Sequence, residues 1–280
     1  MSTRAEIFVT ATELAQSLES GEPVTILDVR WRLDEPDGLT AYMNGHIPGA
    51  VYVSLEDELT DHTVTRRGRH PLPSGAAVEA AARRWGVRRG VPVVVYDDWN
   101  RAGSARAWWV LTAAGIPEVR ILDGGLGAWL AAGGAVHTGT VAPKPGDVTV
   151  RHGDLHTGAR ATLTADDAAA TCLVDARAPK RFRGDVEPVD KIAGHIPGAT
   201  NLPSTRLLSD DGTFLPARDL TSLLAERGVQ GDVGVYCGSG VTAAVVVAAL
   251  ASTGVDAALY PGSWSEWSSD PSRPVARGAR

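Results

Sequence analysis

A chain of 280 residues, 44% hydrophobic and 21% charged, has the composition of an ordinary globular protein and length enough for two domains. Two cysteines are too few for a disulfide framework or a cysteine-based zinc site, and a net charge of −6 argues against general affinity for nucleic acid. With no apolar leader in its first residues and no run of about 18 apolar residues, the chain is expected to be cytoplasmic and free of the membrane.

In chain order, Phe8-Val9-Thr10 opens the fold. Thr10 or Thr12 is placed to cap a helix predicted over about Ala11–Leu18, which Gly21-Glu22-Pro23 ends. Val24–Arg30 reads as a buried strand finishing in polar residues, followed by His46-Ile47-Pro48-Gly49-Ala50 and a short strand, Val51–Val53. An irregular stretch from Asp61 to Pro73 carries Arg66, Arg67, Arg69 and His70. Then come a helix (Ala76–Trp85), a strand (Val91–Tyr96), a helix (Ala102–Ala114), a strand (Val119–Leu122) and a helix (Leu126–Ala132). Strands alternating with helices predict βα units on a mostly parallel sheet.

The pattern then repeats at an offset of roughly 140–150 residues. Asp28-Val29-Arg30 recurs as Asp175-Ala176-Arg177, and Gly45–Ala50 as Gly194–Ala199. Val95-Tyr96-Asp97 recurs as Val235-Tyr236-Cys237, and Asp123-Gly124-Gly125…Trp129 as Tyr260-Pro261-Gly262…Trp267. The chain therefore reads as a duplicated domain: residues 1–140, a linker over 141–159, and residues 160–280. Only the second copy carries a cysteine at the strand end; the first has Asp97 there.

Cys237 stands where the strand Val233–Tyr236 stops and the Ala/Val/Leu-rich helix from Ala243 begins, with Gly238 and Gly240 in the turn. Ligands bind at such strand ends in α/β sheets. Converging backbone N–H groups backed by a helix dipole favour an anion, here a nucleophilic thiolate. Cys172 lies inside a strand-like run with no glycine turn and is expected to be a buried packing residue. His46 and His195 occur in both copies, as do Asp28 and Asp175, so they read as structural. Trp264 and Trp267 read as packing that also walls the site.

These motifs, with Arg181-Phe182-Arg183-Gly184 and Gly262-Ser263-Trp264-Ser265-Glu266-Trp267, resemble the two-domain rhodanese family of sulfurtransferases over essentially the whole chain. The resemblance implies tandem α/β domains, each with a mostly parallel five-stranded sheet flanked by helices. The loop Cys237-Gly238-Ser239-Gly240-Val241-Thr242-Ala243 is similar to the 3-mercaptopyruvate sulfurtransferase version; thiosulfate-preferring members place cations directly after the cysteine. The family implies Cys237 as nucleophile, Ser239, His70 and Glu56 (or Asp57) as a proton relay, and Arg181 with Gly238, Gly240, Val241 and Thr242 as the donor site. A second arginine often follows the Arg-Phe-Arg-Gly motif, and here only Lys191 is nearby.

The implied reaction moves sulfur from a small anionic donor through a Cys237 persulfide to a thiol, thioredoxin or cyanide acceptor, with no metal or other cofactor. A thiosulfate:cyanide sulfurtransferase is the alternative. A cysteine phosphatase is disfavoured because such loops carry an arginine six residues after the cysteine, where this chain has Ala243. A non-catalytic rhodanese-type binding module is disfavoured by the intact cysteine loop.

Overall fold

The fold was described from a computed structural model of the chain, covering residues 3–229 and 231–279. Strands β1 (Phe8–Val9), β2 (Thr25–Asp28), β3 (Val51–Tyr52), β4 (Val93–Tyr96) and β5 (Val119–Leu122) form an all-parallel sheet in the order β1-β5-β4-β2-β3. Strands β6 (Cys172–Asp175), β7 (Thr200–Asn201), β8 (Val233–Tyr236) and β9 (Ala257–Leu259) form a second parallel sheet, β7-β6-β8-β9. The two central pairs share a register: Asp28 faces Tyr96 and Asp175 faces Tyr236. Among the described residues the second sheet has four strands. Where a fifth would lie beside β9, the chain makes a single parallel bridge, Thr162 to Leu259, before Thr164 caps the helix Ala165–Ala170.

Local sequence accounts for the element boundaries. Thr10 Oγ accepts from the Glu13 N–H at 3.2 Å while the Glu13 carboxylate accepts from the Thr10 N–H at 2.8 Å, a reciprocal cap that starts the helix Ala11–Glu19. β2, β4 and β8 are buried along their whole length, as sheets covered by helices on both faces require.

The helices Ala102–Ala113 and Ala243–Ser252 are buried almost all round and pack against each other, one from each half. The first of them also lies tight against its own sheet: a Cβ at Gly103 would be 1.8 Å from the Val29 carbonyl oxygen, just beyond β2. One hydrophobic core thus runs through both halves, from Leu27 and Val95 to Val235 and Leu259. The halves are fixed to each other, and a site can use residues of both.

One sequence expectation is corrected. Cys172 is exposed rather than buried: it is the first residue of β6, entered from a surface turn, and burial begins at Leu173.

Candidate active site

Cys237 follows the last residue of β8 and is 1% exposed. Its N–H donates to Ser263 Oγ at 3.2 Å, and that hydroxyl donates to the Tyr260 carbonyl at 2.8 Å. Ser263 holds this position with a φ of 52°, a left-handed conformation unfavourable for a non-glycine residue. The Trp264 and Ser265 N–H groups bond the carbonyls of Cys237 and Gly238 at 3.0 and 2.9 Å. The turn at 262–265 therefore clamps the cysteine loop from behind.

Gly240 has a φ of 80°, and a Cβ there would lie 2.5 Å from the Pro261 carbonyl oxygen. That conformation aims the Gly240 N–H at Cys237 Sγ, 3.1 Å away. The N–H groups of Ser239, Val241 and Thr242 have no protein acceptor among the described residues. Of the loop amides expected to cradle an anion, Gly240's is the one bonded to the sulfur, a contact suited to a thiolate.

Ser239 Oγ lies 2.7 Å from His70 Nδ1, and His70 Nε2 lies 3.0 Å from Glu56 Oε1. Glu56 follows the cap of the short helix Leu55–Glu58 and also accepts from Trp31 Nε1 at 2.7 Å and contacts His62 Nε2 at 3.1 Å. Asp57, the alternative, is occupied with Ser54 Oγ at 2.7 Å. Burial pushes the Glu56 carboxyl up, but the hydrogen bond and charge of His70 and the Trp31 N–H outweigh it and bring it to about 2. Burial lowers His70 from the ordinary imidazole value against the pull of Glu56, with Arg106 and Arg69 adding to the fall. A neutral ring bonded to a carboxylate at Nε2 carries its proton there, which leaves the Nδ1 lone pair to accept from the Ser239 hydroxyl.

Arg106, on the helix Ala102–Ala113, is wholly buried beneath this array. Its guanidinium donates to the carbonyls of His70 at 3.0 Å, Leu59 at 3.1 Å and Gly240 at 3.4 Å. No carboxylate lies within salt-bridge distance of it among the described residues. Burial pushes it down to about 10, opposed by the charges of Cys237 and Glu56, so it is a cation at neutral pH.

Arg181, on the short helix Pro179–Arg183, lies beside the loop: a Cβ on Gly238 would be 3.4 Å from its Nη1. Its fork is engaged by Glu187, with Nη2–Oε1 at 2.6 Å and Nε–Oε2 at 3.2 Å, and it also meets Asp190 at 3.5 Å. Arg69 of the first half approaches Gly238 even more closely, 3.0 Å from the same notional Cβ, and is ion-paired with Asp190. Lys191 is exposed and forms no ion pair among the described residues.

The first copy's equivalent loop is filled from within. Asp97 accepts from the N–H groups of Trp99, Arg101 and Ser104 and from Ser104 Oγ, and pairs with Arg101 at 3.0 Å. A carboxylate with its own counter-ion thus occupies the position of the cysteine. His46 and His195 serve the scaffold: Nδ1 bonds the carbonyl of Tyr42 at 3.0 Å and of Phe182 at 2.8 Å, and each ring stacks on that residue's ring.

Sequence reasoning missed Trp31, Arg106, Ser263, Glu187 and Asp190. The signal for Arg106 was present: a lone arginine inside a run of Ala, Trp, Val and Leu is a buried charge in want of a partner. For Glu187 and Asp190, two acids five and eight positions before the His-Ile-Pro-Gly-Ala motif look like an ordinary solvated loop.

A family model described as the rhodanese-like domain matches residues 10–132 and again 159–270. The chain is 67% identical to the putative thiosulfate sulfurtransferase SseB of Mycobacterium tuberculosis, over 99% of both chains. It is 43% identical to a probable 3-mercaptopyruvate sulfurtransferase of Pseudomonas aeruginosa, covering 96% of this chain and 98% of that one. Its structure resembles the crystal structure of the 3-mercaptopyruvate enzyme SseA of Escherichia coli, with a TM-score of 0.80, 34% identity, and coverage of 94% of this chain and 100% of that one.

Proposed function

The chain belongs to the rhodanese family of sulfurtransferases, and from that premise we propose that it takes sulfur from 3-mercaptopyruvate onto Cys237 and passes it to a thiol, thioredoxin or cyanide. The observation that carries the donor assignment is the Ser239–His70 contact at 2.7 Å, two residues beyond the nucleophile.

The Cys237 thiolate attacks the sulfur of mercaptopyruvate, and an S–S bond forms as the C–S bond breaks. The carbon keeps the electron pair and leaves as the enolate of pyruvate, which needs a proton. That proton is the donor's own: Ser239 takes it from the donor's thiol while handing its hydroxyl proton to neutral His70, Glu56 stabilises the transient imidazolium, and the proton returns through Ser239 to the enolate carbon, leaving the Cys237 persulfide ionised. The Gly240 N–H stabilises negative charge on the sulfur. In the second half-reaction an acceptor thiolate or cyanide attacks the outer persulfide sulfur, and Cys237 leaves as the thiolate. The cycle is ping-pong.

Thiosulfate is the second reading, favoured by the two guanidinium groups beside Gly238 and by the name of the 67% identical relative. There the leaving group is sulfite, which departs with the electron pair and requires no proton. No helix among the described residues is long and apolar enough to cross a membrane. A cytoplasmic setting suits the chemistry, since it supplies thiol acceptors and keeps Cys237 reduced.

The test is kcat/KM measured side by side for both donors, with intact-mass analysis of donor-treated protein. One sulfur added at Cys237, its loss in Cys237→Ser, and a preference for mercaptopyruvate are expected. Sulfur on the exposed Cys172 with Cys237 unmodified would overturn the assignment, and a preference for thiosulfate would transfer it to the second reading.

A further inference from the structure

A cavity of about 650 Å³ opens at the amino-terminal edge of the first sheet, where Pro92 leads into β4 and Glu118 into β5. Cys237 lies at the carboxyl end of β8, so the cavity is separate from the site described above. Thr112, in its wall, stands about 9 Å from Arg106 along the axis of their shared helix. The floor is apolar: Ile7, Trp108, Ile116 and Val119 line it, each at most 3% exposed. Arg160 reaches the cavity from the second half of the chain.

The Arg160 side chain is built into this cavity. Its guanidinium carbon stands 4.2 Å over the Trp108 ring, and its Nε donates to Thr112 Oγ1 at 3.0 Å. That hydroxyl is itself oriented, because it donates to the Trp108 carbonyl at 2.7 Å and so turns a lone pair to the guanidinium. Stacking fixes the plane of the fork and Thr112 fixes one edge. Among the described residues the two Nη groups have no protein acceptor, and no carboxylate lies within salt-bridge distance of them. Burial pushes Arg160 below the ordinary guanidinium value, opposed by the charge of Asp256. A half-buried cation in this state has given up water without gaining an anion. The acids at the cavity are placed elsewhere: Glu6 accepts from the Thr3 N–H at 2.6 Å in a helix cap, and Glu118 is exposed at the rim.

We propose that this cavity is a second ligand site, which takes an organic carboxylate with an apolar body, the carboxylate on the Arg160 fork and the body on the floor of Ile7, Trp108, Ile116 and Val119. The planar pair of Nη groups matches a carboxylate bidentately. The volume suits a ligand with a body of aromatic size, whereas a three-carbon sulfur donor would leave most of it to water. No cysteine lines the cavity, so the ligand is bound there and not transformed by sulfur transfer. Because it would join Arg160 of one half to the helix Ala102–Ala113 of the other, a bound acid should stabilise the fold.

Calorimetric titration of the full chain tests this, with 2-naphthoate as the probe and 2-naphthamide as its uncharged counterpart. The acid is expected to bind with a Kd below about 1 mM, at least about tenfold tighter than the amide. It should bind equally well to wild type and to Arg181→Ala, and should raise the melting temperature of both. Arg160→Met keeps an apolar chain on Trp108 and is expected to lose at least about tenfold in affinity, and Arg160→Lys recovers part of the loss, restoring charge without the fork. Thr112→Val removes the acceptor that orients the fork and is expected to weaken the acid several-fold, so it and the comparison of acid with amide still decide the matter if Arg160→Met does not fold. No binding of the acid to wild type, or equal affinity for acid and amide, overturns the site. So does binding that persists in a folded Arg160→Met protein but is lost in Arg181→Ala, which would put the acid at the cysteine loop.

Discussion

The Ser239 hydroxyl lies 2.7 Å from His70 Nδ1, although 169 positions separate the two residues in the chain. The contact exists because the two halves share one core, so the half that carries Cys237 meets an imidazole base from the half that has Asp97 in that place. If that base supplies the proton to the leaving enolate, its removal matters for one donor only. His70→Ala is expected to cut kcat with mercaptopyruvate about a hundredfold and to change turnover of thiosulfate far less. Equal losses with both donors would reduce His70 to a support for the loop.

The pH profile follows from the same array. The relay needs His70 neutral at Nδ1, and burial places its protonation below the ordinary imidazole value despite Glu56. Turnover with mercaptopyruvate should therefore persist through pH 6.5 and fall only at more acid pH. Glu56 raises His70, so Glu56→Gln should move that acid limb lower still while reducing the plateau, because the ring loses the carboxylate that fixes its tautomer. Stability follows the same sign. The folded state disfavours protonated His70, so its contribution is complete above about pH 6.5 and is lost as the pH falls below that value. A His70→Gln variant should flatten this part of the unfolding-midpoint profile, and an unchanged profile would refute the assignment.

How much of this was legible before the structure depended on the reach of each interaction. The βα alternation, the duplication and the cysteine turn are local patterns, and β5 (Val119–Leu122) and the helix from Ala243 appear where the residues placed them. The pairing of His70 with Ser239 and Glu56 was accessible only through resemblance, since no local rule links positions 56, 70 and 239. Cys172 is exposed against expectation because a strand-like run without a glycine turn gives no information on where the strand emerges from the surface. Arg69 was read as one member of a cationic loop, without its particular place beside Gly238. That depends on Gly68 packing against Gly262, a contact between two turns nearly two hundred residues apart.

Gly240 is the one loop glycine whose conformation aims a donor at the sulfur. Gly240→Ala would put a Cβ 2.5 Å from the Pro261 carbonyl oxygen at a φ of 80°, so the loop must shift and the N–H turn away. Persulfide formation is expected to slow by about a hundredfold, in line with the loss of one oxyanion-hole donor. Single-turnover mass analysis reads this directly. A shift in melting temperature with normal persulfide formation would show that the bond to Sγ is incidental.

Arg106 presents the sharpest electrostatic expectation. A wholly buried guanidinium with no carboxylate at salt-bridge distance among the described residues carries a desolvation penalty, and the neighbouring groups whose negative charge opposes it are Cys237, first, and Glu56. The same group ties together the carbonyls of Leu59, His70 and Gly240, so it also sets the distance between the relay and the cysteine loop. Arg106→Met should therefore act twice. Stranding buried carbonyls costs about 1–3 kcal/mol each where no water enters, which lowers the melting temperature. Removing the cation should also slow alkylation of Cys237 by iodoacetamide several-fold, because the attacking sulfur is negatively charged and loses a buried positive neighbour. Arg106→Lys restores the charge but only part of the carbonyl network, so it should recover alkylation more fully than stability. If Arg106→Met loses stability while alkylating at the wild-type rate, the buried cation holds the loop together without tuning the thiolate.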